Sequence, residues 1–384
     1  MAKLSKTAAI VGAAESDEIG EVPGKSALQH HAEAAHNALA DAGLKKSDVD
    51  GLFTTGFSTL SIGEYLGIQP RFTDCTWVGG SSFVVHVAHA LAAINAGYCE
   101  VALITHGETG RSARVRGRGS GFTNPNQPQE QYETPYGIMG PPAAYAMACS
   151  RYMHQYGEER TRQGLAEIAV STRKWAQLNP KAMMRDPMTF NDYHDSRWIA
   201  WPFHVLDCCL VTDAGGAVVV TSAERARNLK KKPVWVLGVA ESHDHNMFSQ
   251  MPDLTSTVSR VTGKAALQMA GVTHDDLDLA MIYDSFTYTT LVSLEGLGFC
   301  EPGEGPDFVK AQRTAPGGDF PLNTSGGGLS YTHTGMYGMF LLVEATRQLR
   351  GETGERQVPD CKIALVNGTG GQLSSTGTAI LAVD

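Results

Sequence analysis

The apolar positions of this chain fall into two alternating periods. Stretches with apolar residues three and four apart predict amphipathic helices, and short continuous apolar runs between them predict buried strands. The order in which these come is repeated. "ALADAGLKKSDVDGLFTTGFST" (38–59) and "ALQMAGVTHDDLDLAMIYDSFT" (266–287) align without gaps, each a helix ending at Ala-Gly, an acidic link and an apolar strand. Gly43 and Gly271 predict helix stops in the left-handed conformation. A second echo joins "VVHVAHALAAINAGYCEVALITHGETG" (84–110) to "GMFLLVEATRQLRGETGERQVPDCKIALVNGTGG" (338–371): helix, glycine stop, strand, glycine-rich turn. Each of these helices follows a Gly/Ser-rich elbow, "VGGSS" in the first half and "NTSGGGLSYTHTG" in the second. Helices alternating with buried strands, twice over, predict a duplicated α/β domain whose elbows meet near a pseudo-twofold axis. The halves divide as 1–235 and 236–384. The stretch from about 108 to 200 differs in texture, opening with Gly/Pro/Gln-rich sequence, and reads as an insertion capping the first half as a lid or substrate wall.

Composition narrows the function classes. The 384 residues are 42% hydrophobic and 18% charged with a net charge of −9, which argues against a general nucleic-acid surface. The basic run Arg111, Arg114, Arg116 and Arg118 is open between a phosphate contact and a solvated face. "GRGSGF" in the insertion has no strand before it and no helix after it, so it is not a dinucleotide fingerprint. Seven cysteines without a CxxC pair fit reduced thiols rather than a disulfide scaffold or structural zinc. No secretory core and no membrane-length apolar run is present, so a cytoplasmic protein with no membrane span is expected. His243 and His245 have metal-like spacing without a third ligand and are read as a surface loop. His86 and His89, three apart on a helix, are read as buried.

Four segments carry a family likeness: "NPKAMMRDPMTFNDYHDSRWIAWPFHVLDCCLVTDAGGAVVV" (179–220), "IYDSFTYTTLVSLEGLGFC" (282–300), "NTSGGGLSYTHTGMYG" (323–338) and "ALVNGTGGQ" (364–372). With these in order, nearly the whole chain resembles the thiolase superfamily, most closely the sterol-carrier-protein and archaeal-type thiolases. The resemblance implies a five-layer αβαβα fold with an inserted loop region, a homodimer and a coenzyme A thioester as substrate. It also implies that the family's nucleophilic cysteine is missing, its counterpart falling near Gly80. Cys75 lies about five residues earlier. "YDSF" stands at the Asn/His-Glu/Asp-x-Phe motif, so Tyr283 replaces the polarising Asn or His. "YTHTGMYG" stands at the Gly-His-Pro motif, with His333 as the counterpart of its histidine and Thr334 in place of the proline. "VNGTGG", with Asn367, stands where thiolases carry a basic cysteine or a His-Asn pair.

The missing thiol decides the chemistry expected. Thiolysis and Claisen condensation pass through an acyl-enzyme and need an activated nucleophile. A retro-aldol cleavage of a β-hydroxyacyl-CoA needs only a base for the hydroxyl proton, donors for the thioester enolate and an acid to quench it. Tyr283, His333, Tyr337, Tyr331 and Asn367 are the catalytic candidates, and Gly80, Ser81, Ser82 and Gly370 form the elbow and oxyanion region. His333 titrates near neutrality and suits base or acid, whereas Tyr283 suits a donor or proton-returning acid. The pattern resembles the branch of the superfamily that trims steroid side chains as acyl-CoA aldolases. Two alternatives stay open: acyl transfer with Ser81, Ser82 or Cys75 as nucleophile, and a non-catalytic subunit that binds acyl-CoA or lipid. Against the first, Ser81 and Ser82 are read as helix caps. No cofactor is expected beyond the coenzyme A of the substrate, and no metal. The resemblance implies a separate small zinc-ribbon and OB-fold partner.

Overall fold

The computed structural model describes residues 4–115 and 126–384. The first half runs β1 (Ala8–Glu15), α1 (Ala27–Ala42), β2 (Gly51–Thr54), α2 (Thr59–Leu66), β3 (Phe72–Asp74), α3 (Ser82–Asn95) and β4 (Val101–Thr109). The insertion follows with α4 (Gly110–Val115), α5 (Pro128–Tyr132), α6 (Pro141–Tyr156), α7 (Glu158–Gln177), α8 (Phe190–His194) and the ribbon β5 (Trp198–Ala200) and β6 (Phe203–His204). The strand β7 (Asp213–Ser222) completes the half, and α9 (Ala223–Arg227) leads out. The second half comprises β8 (Val234–His243), α10 (Ser259–Ala270), β9 (Leu279–Ile282), α11 (Thr287–Leu297), α12 (Gly305–Phe308), α13 (Gly338–Arg350), β10 (Ile363–Gly370) and β11 (Ser375–Ala382).

The duplication is visible in the ladders. β2 and β4 are parallel, β4 and β1 are both antiparallel to β7; likewise β9 and β10 are parallel, and β10 and β8 are both antiparallel to β11. A short antiparallel pairing of β1 with β8, Ala9 to Trp235 and Ile10 to Val234, joins the halves into one nine-stranded sheet. The helix stops are as expected, with Gly43 at φ 70° and Gly271 at φ 71°.

Five layers result. α1 covers the outer face of β1, β7 and β4, and α10 covers that of β8 and β11. Between the two half-sheets lie α3 and α13, which touch each other and strands of both halves. α13 is therefore buried at nearly every position from Gly338 to Leu349, its Glu344 paired with Arg356 at 2.9 Å.

The insertion corrects one expectation. Its long helix α7 packs on α11 and α12 of the second half, with α6 alongside, rather than capping the first. Leu165, Ile168, Ala169 and Trp175 of α7 are buried, and α11 is buried almost throughout, so the apolar faces of the two helices satisfy each other. Arg116 and Arg118 lie outside the described residues, as does the Arg114 side chain. Arg111 pairs with Glu21 at 3.2 Å on the surface.

Candidate active site

The first elbow answers the question of its missing side chain. Gly79 has φ 69°, and a Cβ on it would lie 2.5 Å from the backbone nitrogen of Gly371, so only glycine fits where the two halves meet. A Cβ on Gly80 would overlap the edge and hydroxyl of the Tyr283 ring, at 2.5 Å from Cζ. The phenol of Tyr283 thus fills the place into which a side chain at position 80 would project.

Tyr283 is delivered there by the end of β9. Its N–H donates to the Asn367 carbonyl of β10 at 2.9 Å, and Asn323 clamps the preceding Ile282 by accepting its N–H and donating to its carbonyl, both at 2.8 Å. The next residue, Asp284, points away into a π-helical turn (Gly327–Tyr331), accepting from the N–H groups of Gly328 at 2.7 Å and Leu329 at 3.2 Å. Burial pushes this carboxyl up to about 7 against those two amides. Asp284 is a scaffold for the second elbow.

That elbow brings up the partners of the phenol. The Tyr283 hydroxyl lies 3.0 Å from Nε2 of His333 and accepts the backbone N–H of Tyr337, at the cap of α13, at 2.9 Å. His333 is held in turn by Thr212, whose hydroxyl accepts its N–H and whose N–H donates to its carbonyl, both at 3.0 Å. The rings of Tyr283 and His333 meet edge to face, 5.7 Å apart. Burial holds Tyr283 well above its usual pKa, so the phenol keeps its proton at neutral pH. The hydroxyl thus sits between one backbone amide donor and the Nε2 of an imidazole.

The other predicted residues sit elsewhere. The Tyr337 hydroxyl bonds Ser325 at 3.0 Å, so this residue reaches Tyr283 through its backbone. The Tyr331 hydroxyl donates to Glu15 at 2.7 Å, inside an ion-pair cluster with Arg347 at 2.6 Å and Lys181 at 3.3 Å. The Asn367 side chain donates to Thr378 at 2.8 Å, which bonds Thr262 of α10, so it points to the outer helix layer. Strand alternation explains this: Gly368, not Asn367, lies beneath Ser81 and Val84 of α3. Gly370 packs against Val78 and Ser81, where a Cβ would come within 2.6 Å of the serine oxygen.

Neither serine caps α3. The Ser81 hydroxyl donates to the Val78 carbonyl at 2.8 Å and meets Ser375 at 2.7 Å, while Ser82 accepts from Val78 N–H at 2.9 Å and donates to the Gly79 carbonyl at 2.7 Å. Both are fully buried and tie the elbow to itself. Cys75 is exposed just beyond β3. His86 is buried as expected, but His89 is only half-buried and bridges Asp74 and Glu241, which hold its pKa up at about 9. Among the described residues no His/Cys/Asp/Glu cluster is arranged to hold a metal, and no helix is long and apolar enough to cross a membrane.

Three residues near Tyr283 were not singled out from the sequence. Cys209, Tyr145 from the insertion and Glu108 from β4 all add to the raised pKa of Tyr283. The Tyr145 phenol is pushed up to about 12 by burial and donates to the Gly371 carbonyl at 3.2 Å. Glu108 was legible in one respect: aligning "ITHGETG" with "LVNGTGG" sets it opposite Thr369, at the end of a strand that stops at the elbows.

Comparison with known proteins places the fold. Residues 240–383 match the family described as Thiolase C-terminal domain-like. The chain is 36% identical to a 17-hydroxy-3-oxo-4-pregnene-20-carboxyl-CoA lyase of Mycobacterium tuberculosis, over 91% of this chain and 92% of that one. It is 34% identical to a steroid side-chain-cleaving aldolase of Thermomonospora curvata, over 96% and 97% respectively. A solved Ltp2-ChsH2(DUF35) aldolase superposes with a TM-score of 0.89 at 34% identity, over 99% of each chain.

Proposed function

Because this chain belongs to the thiolase superfamily and is a carbon–carbon lyase of its aldolase branch, we propose that it cleaves a β-hydroxyacyl-CoA, with a branched or steroid-like acyl chain, by a retro-aldol reaction. The observation that carries the reading is the phenol of Tyr283, paired with His333, in the space left by Gly80. A nucleophile's place is filled by a proton-transfer pair.

In this reading the β-hydroxyl of the substrate gives its proton to the Tyr283 oxygen as the phenol proton passes to Nε2 of His333. The bond between the α- and β-carbons breaks, and its electron pair becomes the thioester enolate. A ketone or aldehyde departs. The enolate oxygen is held over the backbone of Gly80 and Ser81 at the start of α3, where amide groups favour negative charge. The α-carbon then recovers a proton from the Tyr283–His333 pair, leaving a shortened acyl-CoA and the enzyme as it began. The high pKa of Tyr283 fits a relay in which the tyrosine never rests as tyrosinate. These steps are two proton transfers around one heterolytic carbon–carbon cleavage and call for no cofactor beyond the coenzyme A of the substrate.

The same reading makes the working unit a homodimer with a separate zinc-ribbon and OB-fold partner. The relative solved as an Ltp2-ChsH2(DUF35) aldolase supports the partner.

The test is incubation of the purified chain, alone and with such a partner, with a tertiary β-hydroxyacyl-CoA. Mass spectrometry then follows both the products and the intact protein. A released ketone and a shortened acyl-CoA, with no mass added to the protein, are expected. An acyl adduct on the protein would instead establish acyl transfer, and binding without turnover would establish a non-catalytic subunit.

A further inference from the structure

One carboxylate stands at the site with no part in the relay. Glu108 ends β4, with about one third of its side chain exposed. Its Oε2 accepts the backbone N–H of Met336 at 3.1 Å. The very next amide, that of Tyr337, is the one that donates to the Tyr283 hydroxyl at 2.9 Å. Two consecutive N–H groups therefore leave the second elbow, one toward the carboxylate and one toward the phenol. Gly335 makes room for this: at φ 131°, it would place a Cβ 2.7 Å from Oε2. Two residues separate this carboxylate clamp from His333.

We infer that Glu108 is a positioning residue for the reaction, its ionised carboxylate gripping Met336 N–H so that Tyr337 N–H is aimed at the Tyr283 oxygen. This rests on the retro-aldol reading for its catalytic consequence, and on geometry alone for the coupling of Glu108 to Tyr283. The grip depends on charge, because an amide bond to a carboxylate is roughly twice as strong as one to a neutral acceptor. The charge also acts on the phenol directly, helping to keep its proton in place.

Burial pushes the Glu108 carboxyl up to about 7, against the opposing pull of the Met336 amide and the Thr334 hydroxyl. The carboxylate is thus complete above that pH and lost below it. The titratable groups that face it are His106 from its own strand, with Nε2 at 3.6 Å, and Tyr283 from the second half. His106 is fully buried, which holds its pKa far below the usual histidine value, so it stays neutral and supplies no counter-charge.

Two readouts separate this inference from the reaction it serves. With a β-hydroxyacyl-CoA, kcat of the unmodified enzyme is expected to rise with pH through about 7. In Glu108→Gln, which keeps an acceptor for Met336 but not the charge, that rise should vanish, with kcat at pH 8 down about tenfold and KM within about twofold. In Glu108→Ala, kcat should fall at every pH. Independently of turnover, the tyrosine Cζ carbon-13 resonance assigned to Tyr283 by its loss in Tyr283→Phe should inflect near pH 7 in the unmodified protein and lose that inflection in Glu108→Gln. An inflection that survives the glutamine belongs to another group and overturns the inference, as does an unchanged kcat profile. If the unmodified enzyme fails to cleave while the resonance behaves as expected, the retro-aldol reading falls and the coupling stands.

Discussion

The two elbows of this duplicated fold start from the same plan and end with opposite contents. The first, before α3, has no side chain at Gly79 and Gly80, and its serines are turned back on Val78 and Gly79. The second, before α13, presents an imidazole, the Tyr337 amide and the clamp of Glu108 on Met336. Tyr283 crosses between them: it extends a second-half strand, yet its ring lies against the first-half glycine. The corresponding position in the first half, by the alignment of 38–59 with 266–287, is Thr55, whose buried hydroxyl has no partner among the described residues. Duplication supplied two converging helix starts. One is a receptacle for the Tyr283 ring, and the other supplies the groups that hold its hydroxyl.

The largest effect should come from breaking that second elbow. In the proposed relay, Tyr283→Phe removes the hydroxyl that would bridge the β-hydroxyl and His333, and His333→Ala removes the acceptor. Each should lower kcat by about 10²-fold or more, the range for loss of a general acid or base, with the far-ultraviolet spectrum unchanged. Tyr337→Phe, in the same aromatic group, should leave kcat within about threefold, since only its backbone amide reaches Tyr283 and its hydroxyl is spent on Ser325.

A side chain restored to the receptacle should be the next most damaging change. In Gly80→Ala the new methyl group overlaps the Tyr283 ring edge, so the phenol must move off His333. We expect a fall in kcat of about tenfold or more, because catalytic geometry tolerates little displacement. A double-mutant cycle sharpens the point. In a Tyr283→Ala background the same Gly80→Ala should cost little, since the ring it meets is gone. Equal costs in both backgrounds would mean that the glycine matters for the turn and not for the tyrosine.

How much of this was legible in the sequence depends on which elbow is considered. The periodicities, the paired Ala-Gly stops and the elbow ahead of each central helix gave the layers, because a buried helix and a buried strand leave different apolar periods. His333 and Tyr283 were reachable through motif likeness. Asn367 was misplaced because a strand's alternation turns on the register of a single residue, and the apolar run "ALVNG" does not reveal whether Asn367 or Gly368 faces α3. Tyr331 was misplaced because its partner, Glu15, lies 316 residues away in sequence. Glu108 escaped notice because its main site partner is a backbone amide, that of Met336, which no motif records.

Tyr331 tests stability without touching the chemistry. Burial alone would raise the pKa of Glu15, but Arg347, Lys181 and the Tyr331 hydroxyl outweigh it and hold the carboxyl far below the usual range. A depressed carboxylate stabilises the fold above its unfolded pKa of about 4.3, and this contribution is lost as pH falls below that value. Tyr331→Phe removes one charged hydrogen bond, so chemical denaturation at pH 7 should show a loss of about 2 kcal/mol. The loss should persist as the pH is lowered through 4, because Arg347 and Lys181 still keep folded Glu15 ionised there, and kcat per folded molecule should not change.

The smallest effect is the one that separates the elbows most cleanly. Ser81 is the residue an acyl-transfer reading needs, and it is not without company: Ser375 links it to Nδ1 of His243 at 2.8 Å, and Glu241 stands 3.4 Å from that imidazole's Nε2. Such a row has the residue types of a nucleophile relay. Its geometry argues otherwise. The Ser81 hydroxyl donates to the Val78 carbonyl and is sealed under Gly370, so its proton is engaged and no acyl group has access to its oxygen. Ser81→Ala should therefore cost about 1 kcal/mol of stability for a buried hydrogen bond and leave kcat within about twofold. A loss of 10²-fold, or an acyl adduct that disappears with the serine, would return the nucleophile to the first elbow and reduce the Tyr283–His333 pair to scaffolding.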